Sequence, residues 1–173
     1  AYMPMGTAPE DYALVRSLGR PPFLFDAGDG RFHMIYAGAL LPAGFVVLDR
    51  FLHGLRILRE QAPRVAAKLA VHFVGTGSSP DDAQGHRVLP RARAAGVEEM
   101  VDEHPHRIGY VDTLNHLMHS SAVLVLGSTE PHYTPSKVFQ AMLSERPVFA
   151  LLHRDSTAVG MIRSARVGEV LTL

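Results

Sequence analysis

The sequence predicts an α/β domain of the Rossmann-like, three-layer kind, built on a mostly parallel sheet. Three observations carry this. Short apolar strands alternate with helical patterns along the chain, which implies right-handed crossovers between parallel strands. Ala122–Leu126 and Val148–Leu152 are continuous apolar runs, as expected of strands buried on both faces. Phe32–Ala37 and Leu69–Val74 each run directly into glycine, at Gly38 and Gly75.

The elements follow in order. Residues 1–31 are crowded with Pro4, Gly6, Pro9, Gly19, Pro21 and Pro22, and read as a linker with one helix over Glu10–Leu18. Outside that helix the stretch is expected to add little to the core. Phe32–Ala37 is the first strand. Phe45–Gln61 is a helix, because Leu48, Phe51, Leu52, Leu55 and Leu58 recur at three and four residues. Leu69–Val74 is the second strand. The stretch Asp81–Ala95 is helical in its later part, stopped by Gly96. Glu98–Arg107 holds a third, less apolar strand. Asp112 is placed to cap a short helix whose core side is Leu114, Leu117 and Met118. Ala122–Leu126 is a strand, Ser136–Leu143 a helix with Pro135 at its start, and Val148–Leu152 a strand. Ser156–Ser164 is a helix and Glu169–Leu173 a last strand. Residues 32–173 thus form one domain. The chain stops on a strand with no tail, which reads as a piece of a longer protein.

Composition excludes several function classes. The chain has 173 residues, 47% hydrophobic and 20% charged, with 17 basic residues against 17 acidic ones. That balance gives no reason to expect a nucleic-acid partner. With no cysteine, disulfides, thiolate metal sites and cysteine nucleophiles are out. No apolar run approaches the roughly 20 residues that span a bilayer. There is no signal-peptide pattern at the start, and a cytoplasmic location is expected. The ten histidines raise a metal site. However, His104 and His106 fall on a strand, His116 and His119 on a helix, and no carboxylate pattern joins the pairs, so no metal is expected. A serine hydrolase is disfavoured, since no Gly-x-Ser-x-Gly elbow is present.

Parallel α/β sheets bind ligands beyond the carboxyl ends of their strands. That rule selects the loops after Ala37, Val74 and Leu126. The last reads Gly127-Ser128-Thr129-Glu130-Pro131-His132-Tyr133-Thr134-Pro135-Ser136-Lys137 and opens a helix. Helix-start amides attract phosphate; Thr134 and Ser136 add hydroxyls, Lys137 adds a cation, and Gln140 shares a helical face with Ser136. A capped helix carrying a solvated lysine is the plainer account of the same residues. Gly75-Thr76-Gly77 lacks the third glycine of a dinucleotide fingerprint.

Several segments together resemble the C-terminal domain of GT-B-fold glycosyltransferases of the retaining, nucleotide-sugar-using type. Ile35-Tyr36-Ala37-Gly38 through Pro42 is similar to that family's first strand and glycine loop, and Val71–Gly77 to its second strand and glycine pair. Ile108-Gly109-Tyr110-Val111-Asp112, the following helix and Ser121–Leu126 are similar to the segment before the donor site and its strand. Pro135-Ser136-Lys137-Val138-Phe139-Gln140-Ala141-Met142, followed by Glu145–Ala150, is the most specific match; Pro4-Met5-Gly6 resembles the interdomain linker.

The resemblance implies one half of a GT-B fold. It implies a nucleotide-diphosphate sugar, with UDP as a candidate carrier, held by Gly38, Gly75, Gly77, Glu130, Thr134, Ser136, Lys137 and Gln140. It implies no cofactor and an N-terminal acceptor-binding domain in the same protein. Peripheral membrane association and a role in polysaccharide biosynthesis would belong to that full-length protein, and the fragment alone would be inactive. Two departures stand out. The family pairs two glutamates at a closer spacing, whereas Glu130 and Gln140 have nine residues between them and the second is an amide. The family also carries basic residues in and after its first glycine loop, and Gly38–Gly44 has none. Either Lys137, His153 or Arg154 substitutes, or the donor is unusual or the activity weak. A degenerate nucleotide-binding or regulatory module, or a nucleotide-sugar epimerase of similar shape, are the rival readings.

Overall fold

The computed structural model describes residues 8–77 and 85–173. Among the described residues, six strands form one sheet: β1 (Phe32–Ala37), β2 (Leu69–Val74), β3 (Val101–His104), β4 (Ala122–Leu126), β5 (Val148–Leu152) and β6 (Gly168–Thr172). Their order is β3-β2-β1-β4-β5-β6, and every neighbouring pair is parallel. The chain builds outward from β1 in one direction and then from β4 in the other. The strand order therefore reverses between β1 and β4, where parallel α/β sheets open a crevice.

Seven helices lie among the described residues: α1 (Pro9–Leu18), α2 (Phe45–Gln61), α3 (Pro63–Ala66), α4 (Leu89–Ala95), α5 (Tyr110–His119), α6 (Lys137–Leu143) and α7 (Thr157–Ala165). They divide between the faces because each strand alternates its side chains. Tyr36, Val71 and Phe73 face α2 and α4, packing on Val47, Leu48, Phe51, Leu52 and Ala92. Ile35, Val123, Val125 and Ala150 face the other side, on Tyr12 and Val15 of α1, Leu114 and Leu117 of α5, Val138 of α6 and Ile162 of α7. Burying one such side chain contributes about 1.5–3 kcal/mol. No described helix is long and apolar enough to cross a membrane.

The structure differs from expectation at several places. The third strand is only four residues, because Glu98–Met100 forms a 3₁₀ turn before it. His106 therefore lies beyond the strand and does not share a strand face with His104. Helix α5 begins at Tyr110, preceded by Gly109, so Asp112 sits in its first turn and is not the cap. Helix α6 starts at Lys137, and Ser136 makes no side-chain cap bond. The first 31 residues contribute more to the core than one helix, since Leu24 and Phe25 pack on the α1/α5 side. The Pro4-Met5-Gly6 likeness and the start of the stretch expected to become helical, at 81–84, lie outside the described residues.

Candidate functional site

A pocket of about 340 Å³ opens at the switch point between β1 and β4. Ala37–Ala39 form one wall at the end of β1, with Val74 and Gly75 at the end of β2. Arg107, Ile108 and Thr113 come from the loop after β3 and the start of α5. Ser136, Lys137 and Gln140 come from the start of α6. The chain folds this way because apolar strands end here together, in register: Ala37 pairs with Val74, and Val74 with His104.

The glycine loops are tied to one another. Gly38 N–H donates to the Val74 carbonyl at 2.6 Å, and Gly75 N–H to His104 at 2.8 Å. Leu40 N–H donates to Thr76 at 3.4 Å and Gly77 N–H to Pro105 at 3.1 Å. These four amides are engaged and do not point into the pocket as spare donors. Gly38 has φ +127°, and a Cβ there would collide with Cε and Nζ of Lys137. Its conformation disfavours a side chain, and a Cβ there would have to displace the flexible end of Lys137.

The loop after β2 is fastened from below by Glu103, which is buried. Its Oε1 accepts from the Thr76 hydroxyl at 2.6 Å and from Arg87 N–H at 2.9 Å. Its Oε2 accepts from Val88 and Leu89 N–H, each at 2.9 Å. A carboxylate at the start of α4 meets amides that have no partner within the helix, which stabilises both.

Lys137 lies back across Gly38. Its Nζ donates to the Tyr36 hydroxyl at 3.0 Å and to the Ala39 carbonyl at 3.3 Å, and sits 4.5 Å from the centre of the Tyr36 ring. Tyr36 is buried, which raises its pKa and keeps the hydroxyl protonated; it donates to the Ala39 carbonyl at 3.1 Å. Desolvation first, and the positive charge of Arg107 second, push the Lys137 ammonium down to about 8. Arg107 is exposed, and its side chain makes no hydrogen bond or ion pair with the described residues. Among the described residues, no carboxylate lines the pocket. Two cations with polar Ser136, Thr113 and Gln140 suit an anionic ligand carrying hydroxyls.

Of the residues expected at the site, Gly38, Gly75, Ser136, Lys137 and Gln140 line this pocket, and Gly77, Glu130 and Thr134 do not. Thr134 is held by the Thr157 hydroxyl at 2.7 Å, and Ser156 donates to the Tyr133 carbonyl at 2.8 Å, so this loop is drawn toward the start of α7. Glu130 is exposed, its N–H donating to Ser128 Oγ at 3.1 Å. The sequence predicts the largest cleft at these strand ends, but the pocket there is not the largest one. Cavities of about 740 and 870 Å³ lie beside residues 19–27 and beneath the opposite ends of β1 and β2. Part of the reason is Lys137, whose folded-back side chain occupies the floor above Gly38. Arg107 was not singled out from the sequence, although the strand-end rule extends to the loop after β3 as well.

The comparisons with known proteins bear on the fold and the family. No curated protein matches the sequence. Among solved structures, the fold is similar to WaaG, a glycosyltransferase involved in lipopolysaccharide biosynthesis. The TM-score is 0.62 and the identity 14%, over 96% of this chain and 38% of that one. It is also similar to the trehalose-6-phosphate synthase OtsA, at TM-score 0.69 and 14% identity, over 96% of this chain and 39% of that one. A UDP-forming α,α-trehalose-phosphate synthase from Burkholderia vietnamiensis gives 0.69 and 13%, over 98% and 40%. The chain thus spans about two fifths of the length of the structures it matches, and at these identities the likeness concerns the fold. The family model described as "Glycosyl transferases group 1" matches residues 43–164, a span that includes the Gly75, Arg107 and α6 parts of the pocket. The six-stranded parallel sheet is thus one Rossmann-like half of a GT-B fold, and the chain belongs to the group 1 glycosyl transferases.

Proposed function

We propose that this domain holds the nucleoside diphosphate of a nucleotide-sugar donor in the switch-point pocket. An N-terminal domain of the full protein would present the acceptor. The observation that carries this is a pocket whose described lining holds two cations and no carboxylate, at the place where such sheets take ligands. Arg107 supplies the cation that Gly38–Gly44 lacks. As the sugar departs, negative charge grows on the diphosphate, and fixed cations lower the energy of that state more than of the intact donor. Gln140 accepts from a ribose hydroxyl, and Ser136 donates to a phosphate oxygen. Gly77, Glu130 and Thr134 lie off the pocket and take no direct role in this arrangement. UDP is the first nucleotide to test, because some of the similar structures are described as UDP-forming.

A second reading is a domain that has lost donor binding. The engaged glycine amides and the retracted Lys137 favour it. One similar structure is a putative UDP-N-acetylglucosamine 2-epimerase from Listeria monocytogenes, at 17% identity and TM-score 0.54, over 88% of this chain and 36% of that one. That likeness concerns the fold and leaves the proposal unchanged. Calorimetric titration of UDP, GDP and their sugars into the domain, with folding confirmed by circular dichroism, tests the proposal. Saturable binding of at least one nucleoside diphosphate is expected. A folded domain that binds none of them would establish the second reading instead.

A further inference from the structure

The segment between α1 and β1 is fastened by one histidine. His116 on α5 is fully buried. Its Nδ1 donates to the Asp112 carbonyl at 2.6 Å. Its Nε2 faces the backbone N–H groups of Phe23 and Leu24, at 3.1 and 3.2 Å. Two donors converge on Nε2, so Nε2 must be the bare nitrogen of a neutral ring. Around this contact, the Phe23 ring meets His116 edge-on at 4.5 Å and Phe25 meets it at 5.8 Å. Asn115 adds one weaker tie to the Pro21 carbonyl at 3.3 Å. The same segment borders the open cavity of about 740 Å³.

We propose that His116 is a proton-operated clasp: neutral, it holds residues 23–25 against α5, and a proton on Nε2 releases them. A protonated Nε2 is a donor facing two donors, and both bonds must break. Burial is the main force keeping the ring neutral, lowering its pKa; His119 on the same helix and His104 on β3 act in the same direction. Asp112, through its carbonyl and its charge, opposes them. The other face of Phe25 stacks on His33 and His72, at 4.6 and 4.9 Å. His33 Nδ1 lies 2.9 Å from His72 Nε2, and its Nε2 lies 2.9 Å from Asp29. His72 Nδ1 is 3.3 Å from Asp102 but is not aligned for a hydrogen bond, and burial holds His72 down to about 4. That ring therefore charges only in stronger acid.

The sign follows from linkage. The clasp is complete above the ordinary histidine value of 6.5 and weakens as pH falls below it, because the open segment leaves the ring free to take a proton. Release lengthens the tether between α1 and β1. Helix α1 also meets the candidate pocket, since the Tyr12 hydroxyl donates to the Gln140 carbonyl at 2.6 Å.

The test is amide hydrogen exchange at Phe23 and Leu24, corrected for the intrinsic pH dependence, in wild type and in His116→Gln. Glutamine keeps a neutral acceptor that does not titrate. In wild type, protection should fall by about tenfold for each pH unit below the ring's ordinary value, one proton being taken up on opening. In His116→Gln it should stay flat. The β4 amides Val123–Leu126 should keep their protection in both. Equal pH dependence in wild type and variant would overturn the clasp, as would flat protection in wild type or a fall in β4 in step with the segment. Should His116→Gln not fold, nitrogen NMR of the wild-type ring decides. Nε2 protonation and loss of protection must then share a midpoint, and protonation without loss refutes the proposal.

Discussion

The two sides of the switch-point pocket are built from different material. On one side, the loops after β1 and β2 spend their amides on carbonyls at or just past the end of the next strand: Gly38 on Val74, Leu40 on Thr76, Gly75 on His104 and Gly77 on Pro105. On the other, Ser136, Lys137 and Gln140 of the α6 edge present side chains, and Arg107 joins them from the loop after β3. The difference teaches that glycine at a strand end does not by itself make a phosphate cradle. Here glycine lets the loops pack closely on each other and on Lys137, and the side chains of Ser136, Lys137, Gln140 and Arg107 are left facing the pocket. The loops should therefore govern stability, and the opposite edge should govern binding.

The largest expected effect is on the loop side. Glu103→Ala removes the acceptor of one hydroxyl and three backbone amides. It should cost on the order of 2–5 kcal/mol in urea unfolding. A loss below about 1 kcal/mol would show that the loop does not depend on this carboxylate. Gly38→Ala comes next. It forces a Cβ into a strained conformation and into Lys137, for about 1–3 kcal/mol, or roughly 2–12 °C in the thermal midpoint. An unchanged midpoint would show that the loop yields easily.

The effects on binding are sharper in kind. Lys137 has its pKa pushed down to about 8, so its charge is present below that value and lost as pH rises through it. Affinity for a nucleoside diphosphate should therefore drop by roughly tenfold between neutral and alkaline pH, on the scale of one charge-assisted hydrogen bond. The same titration with Lys137→Ala should be flat across that range, and a drop of the same size in the variant would assign the titration elsewhere. The smallest effect belongs to Gln140→Glu. An added carboxylate beside a ribose should hold or improve affinity, within about twofold. A large loss, seen in the same calorimetric titration, would place a phosphate and not a ribose beside that residue.

Much of the fold is legible in the sequence, because its signals are local. The β4 run of apolar residues and the spacing of Leu48, Phe51, Leu52 and Leu55 in α2 each depend on neighbours only. The third strand reads too long because its polar residues leave the ends unmarked. The site is less legible, since its geometry is set by distant partners. Lys137 folds back because Tyr36, 101 positions away, offers a ring and a hydroxyl. Thr134 leaves the pocket because Thr157 holds it. Gly38, Gly75, Ser136 and Gln140 could be placed because strand ends and helix starts are themselves sequence features. Glu103 gave no signal of its own, being one of three polar residues in a four-residue strand.

The central claim is that two side-chain cations, Arg107 and Lys137, anchor the diphosphate. It is tested most directly by calorimetric titration of UDP and of uridine into wild type, Arg107→Ala and Lys137→Ala. Each substitution should weaken UDP binding by roughly 10- to 150-fold, the equivalent of a charge-assisted contact of about 1.5–3 kcal/mol. Uridine, which has no phosphate, should bind all three proteins alike. UDP affinity left intact by both substitutions, in proteins that remain folded, would contradict the account.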